Sequence, residues 1–232
     1  MLKEDSKEVN KVNNKRKFVR IYHEFMNDGC FESRDHFTYA MIKGVQQQRL
    51  GNISIVSVEI LLSMLGFTIN TKNKTTIRES LQKLIDEKIF VAYEDFNCTV
   101  GIEEIKMSKT YFFKEVEEKG HFMKMYYEDL YKFLKMDDKN KMKIYTVYFN
   151  IISRLYDMDS SDKYTLPNID EIEKETGINK KTITKYIKTL MENELIYYEM
   201  FRMARDKTKN VYGRWENRDY VSGYAQASVS DS

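Results

Sequence analysis

The sequence predicts a mainly α fold with small β-hairpins, an α+β class, made of two tandem copies of one module. Two pairs of stretches predict the duplication. NKTTIRESLQKLIDEKIF (73–90) recurs as NKKTITKYIKTLMENELI (179–196), 106 positions later. FVRIYHEF (18–25) is matched by FMKMYYEDL (122–130), 104 positions later. Two matches at nearly the same offset favour an internal repeat, although chance similarity between amphipathic helices is the alternative.

The composition suits a soluble protein of one large or two small domains. The chain has 232 residues, of which 42% are hydrophobic and 32% charged, with a formal net charge of +2. Its most apolar run, ISIVSVEILLSMLGF, is short and contains serine and glutamate, which argues against a membrane span. The first residues lack the apolar core of a signal peptide. Two cysteines make no disulfide framework, so a cytoplasmic location is expected.

Each copy is expected to begin with a strand and a long helix. The leads Phe18 to Tyr22 and Phe122 to Tyr126 alternate apolar with basic or aromatic residues, as strands do. Helices are predicted over Ser33 to Gln48 and over Lys139 to Tyr156. In the second of these helices the apolar residues recur at the i, i+3, i+4 spacing of one helical face.

A short capped helix is predicted next in each copy. In the second copy Asn168 is a suitable N-cap, and Glu171 lies three residues on, where it can complete a capping box. Gly177 suits the left-handed residue that ends a helix. The counterpart in the first copy is SVEILLSMLG (57–66).

The repeated stretch itself is predicted to be a third helix followed by a hairpin. Its apolar residues Ile183, Ile187 and Leu190 form a buried stripe, which corresponds to Ile77, Leu81 and Leu84 in the first copy. Helix, helix–turn–helix and hairpin is the winged-helix plan, so two tandem winged helix-turn-helix domains are expected. The turn before the third helix is about five residues longer in the first copy. The expected divisions are a flexible arm (1–17), two domains (18–117 and 118–220) and a flexible tail (221–232).

The polar start of each third helix is the predicted DNA-reading edge. A recognition helix presents its N-terminal part to the major groove, with cations for phosphates and short polar groups for base edges. A solvated polar face on a core helix is the alternative. The candidates are Asn179, Lys180, Lys181, Thr182, Thr184, Lys185 and Lys188 in the second copy, and Asn73, Lys74, Thr75, Thr76 and Arg78 in the first.

The second hairpin is basic and is a further candidate for DNA contact. The run RMARDKTKNVYGRWENR (202–218) holds six cations and two acids. Such a hairpin can straddle phosphates or enter the minor groove. Its candidate residues are Arg202, Arg205, Lys207, Lys209 and Arg214. The first hairpin carries Glu103 and Glu104 near its turn, which makes it less suited to DNA.

Catalytic and metal motifs are missing from the sequence. There is no phosphate-binding loop of the GxxxxGK[ST] type. The three histidines are scattered, and Cys30 and Cys98 have no nearby partners, so no metal site is predicted. No cofactor and no enzymatic activity are expected.

The second copy resembles the winged-helix domains of replication initiators and replisome organisers. The resemblance rests on FMKMYYEDLYKFL, KMKIYTVYFNIISRLY and LPNIDEIEKETGINKKTITKYIKTLMENELIYYE, and a weaker first copy extends it over most of the chain. These proteins belong to plasmids and phages of low-GC Gram-positive bacteria. The resemblance implies binding of double-stranded origin DNA and recruitment of host replication proteins. A homodimer is one arrangement compatible with two modules.

The expected function is therefore sequence-specific binding of double-stranded DNA, in the initiation of plasmid or phage replication. A transcriptional regulator that binds promoter operators is the first alternative, because such regulators share these motifs. A protein-interaction scaffold built from winged helices is the second. The two modules would engage successive major grooves, or one would bind DNA while the other dimerises.

Overall fold

A computed structural model describes residues 16–116, 120–155, 163–202 and 208–230. The prediction of helices combined with small antiparallel sheets is confirmed. The elements of the first half are β1 (Phe18–Tyr22), α1 (His23–Asn27), α2 (Ser33–Gly44), β2 (Gln46–Gln47), β3 (Ile53–Ser57), α3 (Val58–Leu65), α4 (Thr71–Asp86), β4 (Phe90–Tyr93), β5 (Gly101–Ile102) and β6 (Thr110–Glu115). Those of the second half are β7 (Phe122–Tyr126), α5 (Tyr127–Lys135), α6 (Lys141–Ile152), α7 (Ile169–Thr176), α8 (Lys180–Glu192), β8 (Ile196–Arg202), β9 (Thr208–Arg214) and α9 (Arg218–Ser230).

The two predicted lead strands pair with each other. β1 and β7 form a two-stranded antiparallel sheet in which Phe18 lies opposite Tyr126 and Tyr22 opposite Phe122. The inner residues of this ribbon, Val19 and Ile21 among them, are buried. The first strand of each half therefore pairs with the first strand of the other half.

Strand pairing within each half follows the same order. In the first half β6 lies between β3 and β4, and the short strands β2 and β5 extend this sheet to five strands. In the second half β9 pairs with β8, and Tyr212 of β9 also bridges to Thr165, which precedes α7. The sheet of the first half is thus larger than the two-stranded hairpin expected there.

One hydrophobic core runs through both halves. Helix α2 packs against α6, and Phe37 of α2 contacts Phe133 of α5 and Tyr145 of α6. Lys141 at the start of α6 is buried and donates to the carbonyl oxygen of Leu65 at the end of α3, at 3.0 Å. Because the halves share this core, α4 and α8 are held in a fixed mutual orientation.

Local sequence accounts for the ends of the helices in the second half. Asn168 accepts from the backbone N–H of Glu171 at 2.8 Å, and the Glu171 carboxylate accepts in return from the backbone of Asn168. Gly177 ends α7 with φ +67°, a conformation that costs glycine little. The predicted cap, capping box and stop of α7 are all confirmed.

Three predicted helix bounds are wrong. Helix α2 ends at Gly44, before Gln48, because Gln46 and Gln47 pair with β3. Helix α6 begins at Lys141, two residues after Lys139, and Tyr156 lies outside the described residues. Helix α4 begins at Thr71, before Asn73, because Asn70 caps it by accepting from the N–H of Asn73 at 2.9 Å. Part of the longer turn expected before the third helix of the first half is therefore an extra turn at the start of α4.

The segment predicted as a flexible tail is a helix over most of its length. α9 packs on β8, where Val221 and Ala225 are buried beside Phe201. Ser222 donates to the Glu199 carboxylate, which also accepts from the hydroxyl of Tyr197 at 2.7 Å. This packing stabilises a helix whose sequence is polar and contains glycine.

The docking of α9 on β9 leaves no room for a side chain at Gly213. A Cβ at this buried position in β9 would lie 2.6 Å from the carbonyl oxygen of Lys163 and 2.7 Å from Cγ2 of Val221. We expect Gly213→Ala to lower the free energy of unfolding by about 1–3 kcal/mol, because backbone or α9 must shift. Urea unfolding followed by circular dichroism measures the change.

Gly101→Ala is the matched control, because a Cβ there meets no heavy atom within 4 Å. Its free energy of unfolding should stay within about 0.5 kcal/mol of the wild-type value. Equal losses in the two variants would contradict tight packing of α9 against β9.

Candidate nucleic-acid interface

Helix α8 buries one side and exposes a row of lysines on the other. Ile183, Tyr186, Ile187 and Leu190 are buried, as the apolar pattern predicts for three of them. Their packing against α6 and α7 fixes the rotation of the helix about its axis. The exposed cations repeat at i, i+4 and i+7, so they lie on a single face. These are Lys181, Lys185 and Lys188.

The N-terminal residues of α8 are partly engaged within the fold. Asn179 is the N-cap and accepts from the N–H of Thr182 at 3.0 Å, which uses its side-chain oxygen. Lys180 lies 2.8 Å from the Asp170 carboxylate, and this hydrogen bond raises the pKa of Lys180. The hydroxyl of Thr184 donates to the carbonyl oxygen of Lys180 at 2.9 Å.

The exposed lysine row differs from these residues in its partners. Within the described part of the chain, Lys181, Lys185 and Lys188 form no ion pair and no side-chain hydrogen bond. Their ammonium groups are therefore available to phosphates, whereas Lys180 must first leave Asp170. Of the predicted cations on α8, these three carry the most accessible charge.

Of the five cations predicted on the basic hairpin, the structure describes the side chains of Lys209 and Arg214. Lys209 is half-buried on β9 opposite Phe201. Arg202 ends β8, and its side chain lies outside the described part of the chain, as do Arg205 and Lys207 entirely. The hairpin does rise directly from the end of α8, since Leu195 and Ile196 continue the buried core.

Arg214 is a structural residue, and its prediction as a DNA contact is wrong. Only 4% of the residue is exposed. Its guanidinium donates to the Asp129 carboxylate at 3.2 Å, to the hydroxyl of Tyr148 at 3.1 Å and to the carbonyl oxygen of Lys124 at 2.6 Å. It therefore joins β9 to α5, α6 and β7, and has no donor surface left for phosphate.

The predicted residues of the first half are more engaged than those on α8. Lys74 pairs with Glu59 of α3, and the side-chain amide of Asn73 donates to the carbonyl oxygen of Thr68 at 2.8 Å. The hydroxyl of Thr76 donates to the carbonyl oxygen of Lys72 at 3.0 Å. Thr75 and Arg78 are half-buried.

The loop between β4 and β6 is unsuited to a polyanion. Its residues 94–109 hold four acids and two lysines, and one of these lysines, Lys109, pairs with Glu94 at 2.6 Å. Asp95 organises the turn by accepting from the N–H groups of Thr99 and Val100. This loop of the first half is therefore acidic, whereas α8 of the second half exposes unpaired lysines within the described chain. Of the two halves, the second is the better candidate for DNA binding.

Neither a metal site nor a membrane span is found among the described residues. No group of three or more His, Cys, Asp or Glu side chains is placed to hold a metal ion there. No helix in the described ranges is both long and apolar enough to cross a membrane.

Comparison with known proteins adds no relative. No protein-family model matches the chain, and no curated protein is significantly similar to it.

Proposed function

We propose that this chain is a sequence-specific double-stranded DNA-binding protein made of two winged-helix modules. The observation that carries the proposal is the lysine row on α8, a helix that follows a capped short helix across a three-residue turn. Cations on one exposed face of such a helix suit the phosphates that border a major groove.

The order and pairing of the strands support the winged-helix assignment. In each half a helix is followed by a strand or a bridge, then by two helices and a hairpin. The last strand of the hairpin pairs on both sides, with the other hairpin strand and with the strand or bridge that precedes the second helix. In the second half Thr165 and Tyr212 exchange two backbone hydrogen bonds, of 2.7 and 2.9 Å, in the place that β3 and β6 occupy in the first. Two halves with one arrangement fit the duplication that the sequence predicts.

A role in initiating plasmid or phage replication is the biological function that we propose. It rests on the sequence resemblance of the second half, including its capped α7 and the α8 core. It predicts that the preferred sites lie as repeats at a replication origin. Genome-wide mapping of bound sites tests this role, because sites confined to promoters would assign the protein to transcription instead.

DNA binding itself is tested by removing two members of the lysine row. A preferred duplex is first obtained by selection from random sequences. We expect Lys181→Ala with Lys185→Ala to weaken binding of this duplex and to reduce the slope of log K against log salt by about 0.9 for each phosphate that the variant no longer neutralises. Fluorescence anisotropy over a range of salt concentrations measures both quantities.

The control variant removes the same charge elsewhere. Lys106→Ala with Lys143→Ala changes two exposed lysines that have no ion-pair partner among the described residues. It should retain the wild-type slope. An unchanged slope in the α8 variant would exclude α8 from the interface, and failure to select any duplex would overturn the proposal of sequence-specific binding.

A further inference from the structure

One side of the β1–β7 ribbon alternates aromatic rings with cations; Arg20 and Phe122 on this side are exposed, whereas Tyr22 is buried. Paired positions along it are Phe18 with Tyr126, Arg20 with Lys124, and Tyr22 with Phe122. A row of two cations is therefore flanked by two rows of aromatic residues. The guanidinium of Arg20 lies 5.0 Å from the centre of the Phe122 ring. Aromatic rings interleaved with cations are typical of surfaces that bind single-stranded nucleic acid.

Beside this ribbon lies an open cleft of about 1090 Å³. One wall is β1 with the residues just before it, and the other is the end of α2 with β2 and the turn that follows. This second wall contributes three side-chain amides, those of Gln46, Gln47 and Asn52. The volume is above the roughly 300–1,000 Å³ that is usual for small-molecule pockets.

The charge that lines the cleft is entirely positive among the described residues. Two of the cations are neutralised from behind, since Arg16 pairs with Glu128 and Lys43 with the buried Glu115. The other three are exposed and have no acidic partner within the described chain. These are Lys17, Arg20 and Arg49.

We propose that this cleft binds an extended single strand of nucleic acid. Lys17, Arg20 and Arg49, which lie on both walls of the cleft, bind phosphates of the strand. Phe18, which lines the cleft and is half-buried, offers its ring to a base. The amides of Gln46 and Gln47 on the far wall suit the hydrogen-bonding edges of unpaired bases.

A single strand fits this chemistry better than a duplex does. A duplex keeps its base faces stacked inside, so an aromatic ring in a concave cleft meets only backbone. A single strand exposes base faces as well as phosphates, and both have partners here. The site is remote in sequence from α8 and does not depend on duplex binding by that helix.

The test uses the full chain and a labelled oligothymidine of about 12 nucleotides, within the usual range of such sites. We expect Arg20→Ala with Arg49→Ala to reduce the salt slope of binding by about 0.7 for each phosphate that is no longer neutralised. Phe18→Leu, which keeps an apolar side chain, should weaken binding at least about fivefold, because the ring can no longer stack on a base. The lysine variant of α8 should bind oligothymidine as the wild type does.

Each variant has a complementary control. The Arg20 and Arg49 variant should keep its affinity for the selected duplex, which also shows that it is folded. Loss of oligothymidine binding in the Lys106 and Lys143 variant to the same degree would overturn the cleft, since net charge alone would explain it. An unchanged slope after removal of Arg20 and Arg49 would overturn it as well.

Two further measurements separate a nucleic-acid strand from a free nucleotide. A nucleoside triphosphate that binds as tightly as the oligonucleotide and displaces it completely would reassign the cleft to a small phosphate ligand. Photocrosslinking with bromodeoxyuridine in place of thymidine should label the peptide that contains Phe18. Labelling confined to α8 would place the strand elsewhere.

Discussion

Replacing Arg214 with methionine is expected to lower the free energy of unfolding by about 3–5 kcal/mol. The side chain is buried and makes the hydrogen bonds to Asp129, Tyr148 and Lys124 described above. Methionine fills similar space but removes the buried cation nearest to the Asp129 carboxylate, which keeps only a longer contact with Arg16, at 3.6 Å, among the described residues. Burial already raises the pKa of Asp129, with Arg214 and the Tyr148 hydroxyl acting against that rise. Urea unfolding at neutral pH measures the loss.

Two controls separate the effect of the ion pair from that of packing. Arg218→Met changes an exposed arginine four positions further on and should alter the free energy of unfolding by no more than about 0.5 kcal/mol. Asp129→Leu together with Arg214→Met removes both charges, so the double variant should lose less than the sum of the single losses. A loss below about 1 kcal/mol in Arg214→Met would show that Arg214 is not essential to the core.

Acidification from pH 6.5 to pH 4 is expected to destabilise the fold through His36. Its ring packs edge-on to Phe25 at 5.6 Å, and both ring nitrogens lack hydrogen-bond partners among the described residues. Burial lowers its pKa from the usual 6.5 to about 4, with the neighbouring Asp35 carboxylate acting against that change. The unfolded chain therefore binds a proton that the folded chain excludes between these two pH values. Stability present above pH 6.5 is lost as the pH falls, by at most about 3 kcal/mol.

The measurement is the difference in pH dependence between the wild type and His36→Phe. Phenylalanine suits the aromatic cluster and does not titrate, so the variant should lose less stability across this range. His23 also has a pKa lowered by burial and by His121, and that contribution is common to both proteins. His121→Gln, at an exposed position, should leave most of the pH dependence in place. Parallel curves for the wild type and His36→Phe would show that folding does not change the pKa of His36.

Local signals in the sequence were sufficient to predict α7 and α8 in the second half. Asn168, Glu171 and Gly177 act through hydrogen bonds and backbone conformations that span three or four residues, so neighbouring residues determine them. The lysine row of α8 was predictable for a related reason. A buried stripe at Ile183, Ile187 and Leu190 fixes which face of the helix remains exposed.

Features set by distant contacts were not predictable in this way. Arg214 reads as one more cation in a basic hairpin, and its role depends on Asp129, 85 positions earlier in the chain. Helix α9 has a polar sequence and becomes helical through packing on β8, which no local pattern encodes. In the ribbon, the alternation of FVRIY and FMKMY indicated strands, but only their pairing aligns Arg20 with Lys124.

The pairing of β1 with β7 has a consequence for synthesis on the ribosome. β1 emerges well before β7, which ends at Tyr126, so the side of β1 that holds Val19 and Ile21 lacks its partner strand while about a hundred further residues are made. Contacts so far apart in sequence slow folding, because a long loop must close before they form. The first half is consequently incomplete as a nascent chain, and its hydrophobic surface is exposed to aggregation or chaperone binding until β7 arrives.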